Sequence, residues 1–225
     1  LYLLPTLICF LSSMAYSQLS PSHQLTHDQV QQDMEILYQS LSEGVVEIYW
    51  YRDESEFAAK VDSICQLQDG MSYIDFYREV THMVSSMGCV HSYIEASPMD
   101  DYFSDNHRFL PIGVNHTDSE TIVSFSVDNQ IPTGSKLLEI NGKTIDQIRD
   151  QMFSIYGTDG YISSIPKYGT QNEDFSHFYK HYVDTAQDFK VTFESPSGKQ
   201  EVKLLQGVVW DSISCLLYTS DAADE

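Results

Sequence analysis

The sequence predicts an α+β chain, with a helical N-terminal segment followed by a β-rich domain. Three observations carry that expectation. Apolar residues recur at helical spacing from Leu25 to about Gly88. Beyond residue 90 the spacing changes to the alternation of half-buried strands. Asn141-Gly142, the strongest short hairpin signal in the chain, falls in this second part.

The elements follow in order. Residues 1–17, LYLLPTLICFLSSMAYS, carry no charge and are mostly apolar. They are too short, and too interrupted by Pro5 and a Ser pair, for a transmembrane span. Ala15-Tyr16-Ser17 places small residues where a signal peptidase reads them, so cleavage before Gln18 is expected. The basic n-region is missing, and Cys9 lacks the small residue that precedes a lipoprotein cysteine. An exported protein, periplasmic in a bacterium or extracellular, follows from this reading, with a buried N-terminal helix as the alternative.

The helical segment spans residues 18–97. Thr26 with Gln29 forms a capping box, and Leu25 with Val30 a hydrophobic staple, ahead of Met34, Leu37 and Leu41. Gly44 is a C-terminal stop. A second helix starts at Asp53, with Glu56 in the box position, and buries Phe57, Val61, Ile64 and Cys65. A third starts near Ser72, buries Phe76, Val80, Val84 and Met87, and stops at Gly88. The short connection at 68–71 makes helices two and three antiparallel neighbours. Cys65 then lies near their turn and Cys89 beyond the far end of a helix roughly 24 Å long. A disulfide needs Cα atoms within about 7 Å, so two free, buried thiols are expected.

Strands are expected at His91–Ser97, Thr121–Val127 and Lys136–Ile140, with Pro132-Thr133-Gly134 as a turn. Ile145–Phe153 and Asp174–Val183 read as helices. Phe189–Glu194 and Gln200–Leu205 read as strands joined by Ser195-Pro196-Ser197-Gly198. A linker at 98–108 separates the helical segment from a domain at 109–206. Residues 207–214 then begin something further.

The last eleven residues, CLLYTSDAADE, resemble one translated frame of a widely used transposase sequencing adapter. Residues 215–225 are therefore set aside as adapter-derived, and the chain is expected to be an N-terminal piece of a longer protein.

Composition bounds the partners. The chain has 225 residues and a net charge of −21, from 33 Asp plus Glu against 12 Lys plus Arg. That excess repels phosphate backbones and anionic membrane, which excludes nucleic acid and membrane surfaces as partners once the signal is removed. Fifteen Tyr and eleven Phe argue for a packed core rather than disorder.

Chemistry is sparse. There is no glycine-rich phosphate loop, paired CxxC or GxSxG elbow. His177 and His181 stand at i, i+4 on an expected helix, the spacing of two metal ligands. Their neighbours Phe175, Phe178, Tyr179 and Tyr182 favour a packing helix, so no metal and no cofactor is assigned. His91, after Gly88-Cys89-Val90, reads first as a hydrogen-bonded structural histidine.

The order of motifs nevertheless resembles a known family. The GCVHS turn after helices, the FLPIGV strand and then GSKLLEINGKTIDQI are similar to secreted tail-specific (C-terminal processing) serine peptidases. YGTDGYIS, DFSHFYKHYV and FKVTFESPSGKQEVKL extend the likeness over residues 25–206. The resemblance implies that residues 109–206 form a PDZ-like module that adds extended peptide to a sheet edge. It implies hydrolysis of peptide or unfolded-protein substrates by a Ser in a later domain, so the nucleophile lies outside this chain. In the tricorn-core-like branch the base is a His, and His91 matches that position as candidate general base. The branch has Ser before this His where Val90 stands here, so a purely structural His91 remains the rival. A non-catalytic secreted protein that binds peptides or glycans is the alternative function.

Overall fold

The computed structural model describes residues 20–45, 48–67, 70–94 and 97–214. The signal and adapter expectations lie outside them. Strands β1 (Gln24–Leu25) and β2 (Met71–Ser72) pair antiparallel and hold together the starts of two helices. Helix α1 (His27–Gly44) opens with Thr26 and Gln29 in a reciprocal capping box. Leu25 and Val30 are both buried in the same core, as the staple requires. Replacing Thr26 by Ala strands the Gln29 amide and should lower stability by about 1 kcal/mol, read as a shift in the urea midpoint at unchanged slope.

Helix α2 (Glu54–Cys65) is capped by Asp53, which accepts from the Ser55 amide at 2.7 Å. Ser72 caps α3 (Tyr73–Ser85) by accepting from the Asp75 amide. Lys60 and Glu79 pair across α2 and α3. Cys65 and Cys89 are both free, but each is only half-buried, where full burial was expected. Cys65 sits at the end of α2 on a shallow groove shared with Gln31 and Glu35 of α1. Burial, then the carboxylates of Asp62 and Glu35, push its thiol pKa up, which keeps it unreactive.

Two expectations fail together after residue 90. Where a strand was expected at His91–Ser97, the described residues His91–Ile94 form none; the chain makes a turn at Val90-His91 and runs irregularly to Ile94. Residues 98–108 are not a plain linker either, because Ser97–Asn106 forms helix α4. Pro98 near its start and Asp100 in its first turn suit a helix N-terminus. Met99 and Phe103, four residues apart, are buried on one face, so packing fixes the helix.

The second part is a six-stranded antiparallel sheet, β3 (Ile112–His116), β4 (Thr121–Ser126), β5 (Lys136–Ile140), β6 (Lys143–Thr144), β7 (Asp188–Glu194) and β8 (Gln200–Gln206). The order is β3-β4-β5-β7-β8, with β6 paired to β5. Asn141 and Gly142 both take positive φ between β5 and β6, the backbone a tight hairpin demands. Helices α5 (Ile145–Ser154), α6 (Ser164–Gly169) and α7 (Glu173–Phe178) fill the crossover, and a π-helical stretch, Tyr179–Val183, extends α7. The α5 and α7 helices and the π-helical stretch pack Ile148, Met152, Phe175 and Tyr179 with Val114, Leu137, Phe189 and Val191 of the sheet. This is the expected α+β class.

The two parts are joined by a further apolar cluster and by buried polar contacts. Ile74 and Tyr77 of α3 meet Phe103, Ile155 and Tyr182. The Tyr77 and Tyr182 hydroxyls lie 2.7 Å apart, and Arg78 Nε donates to the His181 carbonyl at 2.7 Å. Ser85 Oγ donates to the Ile155 carbonyl at 2.5 Å.

Candidate functional site

His91 stands exposed on the turn that follows α3. Three features hold the turn. Gly88 adopts φ +71°, and a Cβ there would come within 2.9 Å of the Tyr51 side chain. The Val90 amide donates to Asp159 Oδ1 at 3.0 Å, and the Gly160 amide donates to the Gly88 carbonyl at 2.9 Å. Within the turn, the Ser92 amide donates to the Cys89 carbonyl. The histidine turn is therefore positioned by residues 157–160 of the second part, about seventy positions away. Gly88→Ala should destabilise the chain by about 1 kcal/mol or more through the strained φ, measured by thermal unfolding.

Beside the turn lies a cleft of about 310 Å³, lined by Val90, Tyr93, Ile94, Tyr156, Phe178 and Tyr182 among others. His91 borders this cleft through its neighbours Val90 and Tyr93 and does not itself line it. Burial pushes the Tyr182 hydroxyl far above its ordinary range, reinforced by Tyr77, so both phenols stay neutral hydrogen-bonding walls.

A second constellation was only half legible. His177 on α7 and His181 on the π-helical stretch do face one another, with ring centroids 4.1 Å apart. The residue that the sequence reading missed is Asp100 of α4, whose Oδ1 lies 3.0 Å from His177 Nε2 and 2.9 Å from His181 Nε2. The signal for it was available: Ser97-Pro98 followed by acidic residues marks a helix start, which would have placed Asp100 in a first turn. Burial acts to raise the Asp100 pKa, but the opposing interactions, led by the hydrogen bond from His177, hold the carboxyl well below its usual range.

The described helices include none long and apolar enough to cross a membrane. No family profile matches the sequence, and the search of characterised proteins finds no sequence match. Solved structures do match in fold. The chain is similar to mature CPAF, a chlamydial serine protease of the tail-specific family, at 14% identity and a TM-score of 0.54. That match covers 80% of this chain and 34% of the CPAF chain. Mature CPAF complexed with lactacystin gives 13% identity and a TM-score of 0.54. A CPAF point mutant gives 12% and 0.55, with the same coverage in both cases. At these identities the likeness is one of fold, an α+β arrangement shared over four-fifths of this chain. The chain spans about a third of the length of the solved chains it matches.

Proposed function

We propose that this chain is the N-terminal part of an exported serine peptidase of the tail-specific class, with His91 as general base. The observation that carries the reading is the fold likeness to a serine protease over four-fifths of the chain. It is supported by an exposed histidine on a pinned turn beside a cleft. The imidazole would take the proton from a serine supplied by a domain beyond residue 214 and return it to the leaving amine. The substrate would be peptide or unfolded protein, with the sheet acting as a PDZ-like module that receives an extended segment at an edge. The acidic surface would repel nucleic acid and anionic lipid.

Residues 18–214 alone should show no turnover of an unstructured protein substrate, because the base has no nucleophile to activate. Hydrolysis that survives purification and disappears in His91→Ala would overturn that part of the proposal. A non-catalytic peptide-binding protein is the second reading. One observation favours it: β8 ends the sheet order and exposes Val202 and Leu204.

A further inference from the structure

The structure assigns a second site to this chain: Asp100, His177 and His181 form a binding site for a single divalent transition-metal ion, of which zinc is the best fit. The site does not rest on the peptidase reading and uses none of the residues near His91.

The argument begins with His181. Its ring is fully buried, and Nδ1 lies 2.9 Å from the His177 carbonyl oxygen. A carbonyl only accepts, so Nδ1 carries the hydrogen, and the neutral ring presents a bare lone pair at Nε2. Among the described residues, that Nε2 has no hydrogen-bond partner. It nevertheless lies 2.9 Å from Asp100 Oδ1, outside hydrogen-bonding alignment. A lone pair aimed at a carboxylate oxygen in a buried place is electrostatically unfavourable, and a cation between the two removes the conflict.

The remaining geometry agrees. The three ligand atoms lie within 4.8 Å of one another, and both Asp100–His separations are near 3 Å. A tetrahedral zinc ion, bound at about 2.0–2.2 Å, needs ligand atoms somewhat over 3 Å apart, which small side-chain adjustments supply. The His181–His177 backbone bond is the outer contact that fixes tautomer and ring direction in such sites. Phe103 and Trp210 stack edge-on against His181 and His177 and give the apolar surround. Asp100 and His177 keep 40% and 29% of their side chains exposed, so an ion has a way in and water a place as fourth ligand. Two imidazoles and one carboxylate suit zinc better than calcium or magnesium, which favour oxygen ligands. Bound there, the ion would clamp α4 to α7.

The test uses the chain without a histidine tag, stripped with chelator and then titrated with zinc. The expected result is one zinc per chain, a saturating rise in melting temperature, and visible absorption typical of tetrahedral coordination with cobalt(II). Asp100→Asn and His177→Gln, both at partly exposed positions, should weaken binding at least about a hundredfold while far-UV circular dichroism is unchanged. His181→Gln should do the same if it folds; if it does not, the other two variants decide. No saturable zinc binding by the unsubstituted chain, or undiminished affinity in folded Asp100→Asn and His177→Gln, overturns the site.

Discussion

In the full-length protein, His91→Ala is expected to lower kcat for hydrolysis of an unstructured protein by roughly 10⁴–10⁶-fold, with KM little changed. The size follows from the role proposed. Without a base, the serine hydroxyl keeps its proton, and only substrate binding and oxyanion stabilisation survive. The turn itself should be unaffected, because Gly88, Val90 and Ser92 backbone atoms hold it. Two readouts separate a base from a merely structural residue. The variant should melt within about 0.5 kcal/mol of the parent, as exposed substitutions do. The loss should also fall on kcat with KM nearly unchanged, a split that a folding defect does not give. A large loss of stability with activity retained per folded molecule would assign His91 to the fold instead.

A second large effect is expected from acid. His116 on β3 is buried, with Nδ1 2.9 Å from Thr121 Oγ1 and Nε2 3.2 Å from the Thr170 carbonyl. The carbonyl accepts from Nε2–H, and the threonine hydroxyl donates to Nδ1, so the neutral ring is fully satisfied. Burial first, and then the nearby Arg149 cation, lower its pKa from 6.5 to about 4. With the folded pKa depressed, the unfolded chain binds more protons between these values, so stability falls as pH falls. The contribution is fully present above about pH 6.5 and is lost on descending to about pH 4, on the order of 3 kcal/mol. Urea unfolding across that range should show the loss, and His116→Gln should flatten the slope whatever its own cost in stability. Identical slopes in the two proteins would contradict the assignment. Comparing slopes is necessary because 33 acidic residues begin to titrate toward the lower end of the range.

Much of the architecture was legible because it is local. The Thr26–Gln29 box, the Asn141-Gly142 hairpin and the β7–β8 pair each depend on a few adjacent residues, and each stands where the spacing put it. The segment after residue 90 was misread for a nonlocal reason. Alternation in His91–Ser97 looked like a strand, but His91–Ile94 make a turn and an irregular run, and Ser97 already starts α4. The helix that follows is fixed by Met99 and Phe103 meeting α3 and the π-helical stretch. The candidate site divides in the same way. His91 was singled out from its motif, and it stands exposed on the turn after α3. The Asp159 and Gly160 contacts that hold its turn come from far along the chain and carry no sequence signal. His177 and His181 could be paired by the helical period, whereas Asp100 reaches them only through tertiary packing.

The central claim, an N-terminal portion of a serine peptidase, is tested most directly by reading the source DNA past codon 214 with long reads from adapter-free template. The account predicts a frame that leaves CLLYTSDAADE behind and continues into a domain with a nucleophilic serine in a strand-to-helix turn. A frame that encodes those eleven residues and stops after Glu225 would contradict it and leave the peptide-binding reading in its place.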